Sequence, residues 1–170
     1  MDTLVKLLNQ LIERGIIKNY AIGGATALIY YCEPVQTQDI DVFVLIQSQI
    51  ADLINLSPLY EFFQKKGFEA HKEHILINKI PVQFLVPYND LLTEAVGEAV
   101  DVKYGNVKTK ILSLEYLMAI MVQTGRIKDK ARLEYLISRR IDFNKSALNA
   151  ILKRNQLLEK WKKTKMELGL

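Results

Sequence analysis

The sequence has very few of the residues that build disulfide frameworks and histidine-based metal sites. Among its 170 residues are one cysteine, Cys32, and two histidines, His71 and His74. A single cysteine excludes a framework of internal disulfides and fits a reducing compartment, so we expect a cytoplasmic protein. The two histidines stand three positions apart in a predicted strand, where they would face opposite sides. We therefore interpret them as surface residues and not as metal ligands.

Long apolar runs are also absent. Although 49% of the residues are hydrophobic, no run approaches the roughly 20 apolar residues that a membrane span needs. Residues 1–15 alternate apolar and polar side chains with helical spacing, and no small-residue cleavage site follows them. This pattern predicts an amphipathic helix and not a signal peptide. We expect no membrane partner, and the length suits one well-buried core.

The stretch 20–45 carries the functional signal. Two adjacent glycines, Gly23 and Gly24, interrupt an apolar run, and two acids, Asp39 and Asp41, open another apolar run. The predicted order is a strand over 20–22, the glycine turn, a helix over 25–31, a loop over 32–38 and a buried strand over 39–45.

This order of elements predicts a site for phosphate and a divalent cation. Alternate side chains of a strand share a face, so Asp39 and Asp41 should point the same way and repel each other unless a cation lies between them. Gly23 and Gly24 allow a sharp turn and a close ligand approach at a helix N-terminus, which attracts phosphate. The Thr26 hydroxyl is a further candidate contact. The alternatives are a solvated strand end for the acids and an ordinary tight turn for the glycines.

The same residues resemble the nucleotidyltransferase superfamily that shares the DNA polymerase beta-like catalytic fold. Its signature is an apolar residue, Gly-Gly or Gly-Ser, a spacer, and then Asp-apolar-Asp-apolar; here these are Ile22-Gly23-Gly24 and Asp39-Ile40-Asp41-Val42. The stretch is most similar to the abortive-infection toxin type. The resemblance implies that Asp39 and Asp41 hold Mg²⁺ or Mn²⁺ on a nucleoside triphosphate, and that Gly23 and Gly24 bind the triphosphate.

A second motif, Gly125-Arg126-Ile127-Lys128-Asp129, also resembles that type. The resemblance implies that Lys128 and Asp129 face the nucleotide and that Arg126 reaches its phosphates. The alternative is a polar turn between helices, with Asp129 near a helix N-terminus. The basic residues of the last segment, from Lys153 onward, would either attract nucleic acid or form a solvated helix face.

Gln83 departs from the superfamily pattern. A third carboxylate usually stands on a later strand, and we place that catalytic position in Val82-Gln83-Phe84-Leu85, where the residue is an amide. An amide is a weaker metal ligand than a carboxylate and cannot act as a base. Glu69, Glu73 and Asp101 are alternative acids, and nothing in the sequence selects one of them.

We therefore expect a mixed α+β fold: a nucleotidyltransferase-type sheet flanked by helices over residues 1–112, followed by a helical subdomain over 113–170. The expected activity is metal-dependent transfer of a nucleoside monophosphate from NTP to a hydroxyl on RNA or protein. A toxin–antitoxin pair, with a cognate antitoxin as partner, is one setting that the resemblance implies. The alternative is a module of the same fold that binds nucleotide or protein without catalysis, which Gln83 favours.

Overall fold

A computed structural model describes residues 1–32, 37–47, 49–50 and 53–169. Most of the loop expected over 32–38 lies outside these residues. Seven strands form one mixed sheet in the order β5-β6-β7-β2-β1-β9-β8, and β3 and β4 pair separately. The strands are β1 (Ile17–Ile22), β2 (Ile40–Ile46), β3 (Gln49–Ile50), β4 (Leu53–Ile54), β5 (Ala70–His71), β6 (His74–Ile77), β7 (Ile80–Leu85), β8 (Val100–Tyr104) and β9 (Val107–Ile111).

The acidic strand β2 lies at the centre of this sheet. It runs antiparallel to β1 and parallel to β7, while β1 runs parallel to β9. Side chains on one face of β2, at Ile40, Val42 and Val44, are buried in the hydrophobic core. The other face carries Asp41 and Phe43, which are half-buried. This alternation is the pattern of a strand with one face in the core and one face toward a site.

Eight helices accompany the sheet in the described part of the chain. Helix α1 packs against β1 and β9, α4 packs against β1 and β2, and α5 contacts α2, α4 and the later helices. The helices are α1 (Asp2–Glu13), α2 (Gly24–Tyr31), α3 (Ser57–Lys65), α4 (Asp90–Gly97), α5 (Leu114–Thr124), α6 (Ile127–Ser138), α7 (Lys145–Arg154) and α8 (Leu158–Glu167).

The expected mixed α+β class, with a helical C-terminal part, is confirmed. The apolar spacing from Lys145 to about Met166 predicts one helix, and this prediction is wrong, because the structure has two helices there, α7 and α8. Gln156 has a left-handed backbone (φ 58°) between them, which ends α7 and turns the chain. The turn brings Lys160 of α8 onto the end of α5, where its Nζ donates to the Gln123 carbonyl at 2.5 Å.

The expectation that the two histidines face opposite sides of one strand is also wrong. Residues 70–77 form a hairpin, in which Lys72 takes a left-handed conformation (φ 57°) in the turn. His71 and His74 are therefore direct partners across β5 and β6. Directly opposite residues of an antiparallel pair share a face, so both imidazoles lie on the same side of the sheet.

None of the helices in the described ranges combines the length and the apolar character needed to cross a membrane.

Candidate active site

The carboxylate of Asp41 lies directly against Gly24. A Cβ placed on Gly24 would collide with Asp41 Oδ2, and the Gly24 backbone is left-handed at φ 56°. Both the conformation and the space therefore require glycine at this position. The Gly23 N–H donates to the Asp41 carbonyl at 2.9 Å, which fixes the turn to the acidic strand. The sequence places these residues about 17 positions apart, and the antiparallel pairing of β1 with β2 brings them together.

Gly23 allows a second close approach. A Cβ on Gly23 would lie 2.6 Å from the ring of Phe43 and 3.2 Å from Leu112 Cδ1. The Phe43 ring consequently packs over the start of α2, where Gly23 is the N-cap residue. A helix N-terminus presents free N–H groups and a partial positive charge, so this turn can accept an anion beside Asp41.

The two acids interact electrostatically. Burial raises the pKa of Asp41, and the negative charge of Asp39 raises it further, against the opposing charges of Lys128, Arg126 and Arg132. Asp39 precedes β2 and is half-buried, with its Oδ1 accepting from the Thr37 hydroxyl at 3.1 Å. Burial and a like charge disfavour the ionised form of this carboxyl. A cation that binds nearby would stabilise that ionised form.

Gln83 stands directly beside Asp41, as its partner across the parallel strands β2 and β7. The Gln83 amide donates to Glu73 Oε2 at 3.4 Å, so among the three alternative acids the structure brings Glu73 to this position. Asp101 lies on β8 at the opposite edge of the sheet, and Glu69 is exposed ahead of β5. The third-carboxylate position predicted from the sequence is thus adjacent to Asp41, and an amide fills it.

A pocket of about 290 Å³ lies between this face of the sheet and the helices α5 and α6. Its polar and charged lining includes Asp41, Gln83, Arg126 and Arg132, and Gly24 lines it as well. The remaining lining is mostly apolar and comes from both halves of the chain: Phe43, Leu85, Val86, Leu92, Leu112, Leu117, Ile120 and Met121.

Arg126 is held by a buried carboxylate. The Asp129 side chain is 1% exposed, and it accepts from Arg126 Nε at 2.7 Å, from Nη2 at 3.1 Å and from the Thr124 hydroxyl at 2.6 Å. Burial alone would raise the pKa of Asp129, but these hydrogen bonds and the Arg126 charge outweigh it and lower the pKa. Because the Asp129 oxygens are engaged in this way, we infer that Asp129 orients Arg126 toward the pocket. Gly125 precedes this turn as the left-handed cap of α5.

Two other residues that were predicted to contact the nucleotide, Lys128 and Thr26, do not line this pocket. Lys128 is exposed, and its charge acts on Asp41. Thr26 lines a second groove with Tyr30 and Tyr104, and it is not among the residues that line the pocket beside Asp41.

Arg132 and Tyr88 are among the lining residues that the sequence analysis did not anticipate. Arg132 lies four positions after Lys128 in α6, and this helical spacing is a signal that would have indicated it. Tyr88 lies in the short loop between β7 and α4 and is 76% exposed at the pocket. No local pattern marks Tyr88, because its place depends on how α5 docks on the sheet.

The residues present fit a Mg²⁺ ion that is shared with phosphate oxygens. Within the described residues, no group of three or more His, Cys, Asp or Glu side chains is arranged to hold a metal. Asp41 nevertheless supplies a hard oxygen donor beside a turn suited to phosphate, and Asp39, which is not among the pocket's lining residues, adds its negative charge. Mg²⁺ is usually bound by one or two carboxylates together with substrate phosphates, so this donor set matches that mode.

Comparisons with known proteins agree with this architecture. No family model and no curated protein sequence matches the chain. A nucleotidyltransferase-like antigenic protein of Paracoccidioides brasiliensis is similar in structure, with a TM-score of 0.53 and 17% identity over 98% of this chain and 91% of that one. A Thermotoga maritima protein provisionally described as a nucleotidyltransferase has a TM-score of 0.44 and 17% identity, over 81% of this chain and 94% of that one. The first of these similarities shows that the chain has a nucleotidyltransferase-like fold.

Proposed function

We propose that this protein is a metal-dependent nucleotidyltransferase. One observation carries the proposal: the Asp41 carboxylate lies against the Gly24 turn and faces Arg126 and Arg132 across one pocket. Paired acids for a cation, a helix N-terminus and two guanidinium groups together match the charge of a metal-bound triphosphate. The nucleotidyltransferase-like fold supports the same conclusion.

The proposed reaction joins a nucleoside monophosphate to an acceptor hydroxyl on RNA or protein. The acceptor oxygen forms a bond to the α-phosphorus, the bond from that phosphorus to the bridging oxygen breaks, and pyrophosphate leaves while the hydroxyl proton passes to water. A bound Mg²⁺ or Mn²⁺ would be held by Asp39 and Asp41 and would neutralise charge on the phosphates. Arg126, held by Asp129, and the neighbouring Arg132 and Lys128 would neutralise the rest.

The setting of the reaction is part of the proposal. A cytoplasmic location would supply both NTP and Mg²⁺, and the single cysteine fits it. The resemblance of the Gly23-Gly24 and Asp39-Ile40-Asp41 motifs to abortive-infection toxins supports a toxin–antitoxin pair, with a cognate antitoxin as partner.

Calorimetry of ATP binding with Mg²⁺, and again with EDTA, tests the metal role. We expect binding with Mg²⁺ and a strong loss with EDTA. The double variant Asp39→Asn, Asp41→Asn should lose more than the roughly 10- to 100-fold that removal of a metal's outer-shell partner costs. Binding of equal strength in all these conditions would exclude the metal role.

A matched control is Asp101→Asn, because Asp101 is an exposed acid on the edge strand β8. This variant should bind ATP like the wild type. Transfer itself is measured with labelled NTP on bulk RNA and on cell protein, and label that stays on either acceptor identifies its class.

A second function, nucleotide binding without catalysis, is favoured by Gln83. The residue beside Asp41 on the neighbouring strand is an amide, and it can neither accept a proton from the acceptor nor bind metal as strongly as a carboxylate. Mg²⁺-dependent ATP binding without any transfer of label would support this alternative over the enzyme.

A further inference from the structure

The pocket is lined by charged and by apolar side chains, and the proposed function uses only the charged ones. Asp41, Arg126 and Arg132 line it together with apolar residues that include Phe43, Leu117 and Ile120. A triphosphate alone would leave this apolar surface exposed to water. The volume of about 290 Å³ is at the lower limit for ligand pockets, which suits a small ligand and not an extended chain.

Tyr88 lies at the mouth of this pocket with most of its ring in solvent. It is 76% exposed, more than the two exposed tyrosines Tyr30 and Tyr104, which line the separate groove with Thr26. An exposed aromatic ring gains little from packing, so its position at the pocket is compatible with stacking on a ligand. The β7–α4 loop that carries it begins at Val86, and both Val86 and the last β7 residue, Leu85, line the pocket.

Asn89, the residue after Tyr88, anchors this loop to the helices α4 and α5. Asn89 Oδ1 accepts from the Leu92 N–H at 2.9 Å and caps α4, and Asn89 Nδ2 donates to Gln123 Oε1 of α5 at 3.0 Å. The backbone next to Tyr88 is therefore tied to two helices. A ring on an anchored loop loses less conformational entropy when it stacks than a ring on a free loop.

We propose that Tyr88 and the apolar side chains of the pocket bind the base of the nucleotide, with Tyr88 stacking on one face of the ring. This inference rests on the proposed function, and it names the residues that would bind the base of the nucleotide. Aromatic stacking tolerates any base because every base has a π-face, so the arrangement predicts recognition of a nucleobase as a class.

Calorimetry in the presence of Mg²⁺ measures the affinity for ATP and for inorganic tripolyphosphate. Because tripolyphosphate lacks the nucleoside, the difference between the two affinities reports the contribution of the base and sugar. The wild type should bind ATP more tightly than tripolyphosphate. Tyr88→Ala should weaken ATP binding by about 5- to 100-fold and leave tripolyphosphate binding within about twofold. Tyr88→Phe keeps the ring and should retain ATP affinity, and Tyr104→Ala, which removes an exposed ring elsewhere, should change neither ligand.

The possible results separate this inference from the proposed function. If the wild type binds ATP and tripolyphosphate and Tyr88→Ala changes neither, the base-binding role is overturned and nucleotide binding stands. Equal weakening of both ligands would also overturn it, because Tyr88 would then act through the phosphate end. If the wild type binds neither ligand, the proposed function fails and this inference fails with it.

Discussion

Asp41 is the residue on which the site depends, and its ionised form is costly in the folded protein. The carboxylate is partly buried against Gly24, and Asp39 adds a like charge. Both effects raise its pKa in the absence of a cation. Holding a partly buried carboxylate beside a like charge costs stability, and such a cost is common at sites that serve function.

The raised pKa of Asp41 predicts a pH-dependent cost to stability. The folded protein keeps the Asp41 proton to a higher pH than the unfolded chain does, so stability falls as pH rises from about 3.9 through the raised pKa. Asp41→Asn should therefore raise Tm by roughly 1–4 °C at neutral pH in metal-free buffer, with the gain shrinking below about pH 4. Thermal denaturation across this range checks it, with Asp101→Asn as control. A variant less stable than wild type at neutral pH would contradict it.

Gln83 is the second decisive residue, because it stands beside Asp41 on the parallel strand. Gln83→Asp restores an acid there and should tighten metal binding and increase label transfer from NTP. Loss of an electrostatic group of this kind typically changes a rate by about 100- to 1000-fold, so a restored group should be measurable. Gln83→Asn, which keeps the amide, is the matched control.

Two results would count against this interpretation of Gln83. If Gln83→Asp transfers no more label than Gln83→Asn, the non-catalytic alternative gains. If wild-type transfer disappears in Glu73→Gln, the neighbouring Glu73 supplies the acid, and Gln83 is not the position that matters.

At the scale of elements, the turn between α5 and α6 decides where the guanidinium group of Arg126 lies. The Gly125 backbone ends α5 in a left-handed conformation, and Arg126 and Asp129 then begin α6. Asp129 is buried within this turn and binds Arg126 through two of its guanidinium nitrogens. The motif thus has a structural role in this turn, and its role in nucleotide binding stays a prediction.

Asp129→Asn should therefore affect stability and nucleotide affinity together. It removes a carboxylate that accepts hydrogen bonds from Arg126 and Thr124, and we expect a loss of roughly 1–3 kcal/mol in the free energy of unfolding. The lowered pKa of Asp129 means that its contribution is complete above its unfolded pKa and disappears as pH falls through its folded pKa. Urea denaturation at neutral and acid pH measures this.

Asp142→Asn provides the control for that experiment, since Asp142 is an exposed acid between α6 and α7. It should leave the free energy of unfolding and the affinity for ATP unchanged. If Asp129→Asn is as stable as wild type and binds ATP equally, Asp129 does not hold Arg126 in place.

At the scale of the whole molecule, the pocket joins the sheet to the helical part. Asp41 and Gln83 come from the sheet, and Arg126 and Arg132 come from α6 and its N-terminal turn. The division of the chain into residues 1–112 and 113–170 remains a prediction. Because ligand would contact both parts, binding should stabilise them together.

Mg²⁺ with ATP should accordingly raise the melting temperature in one transition. At a ligand concentration 100 times Kd the gain is about 2.7 kcal/mol, which corresponds to roughly 5–10 °C for a chain of this length. Scanning calorimetry with and without EDTA measures it. If only one of two separate transitions moves, or if the Asp39→Asn, Asp41→Asn variant gains equally, ligand does not bind between the two parts through these acids.

The sequence predicted those features that depend on neighbouring residues. The Gly23-Gly24 turn and the strand that contains Asp41 stand where their local patterns predicted them. That Asp39 and Asp41 share a face stays a prediction, since β2 begins at Ile40. The histidine pair shows where such reasoning fails. Spacing within one strand placed His71 and His74 on opposite faces, but the Lys72 turn folds the segment back on itself and pairs them.

The sequence by itself determined the glycine turn, the acidic strand and the mixed α+β class, because turn geometry and side-chain period are local properties of the chain. Tertiary structure alone decided that Gln83 pairs with Asp41, that Glu73 contacts Gln83, and that Arg132 and Tyr88 line the pocket. These relations depend on strand register and on the docking of α5 and α6. Both follow from the joint packing of residues far apart in sequence, which no single segment encodes.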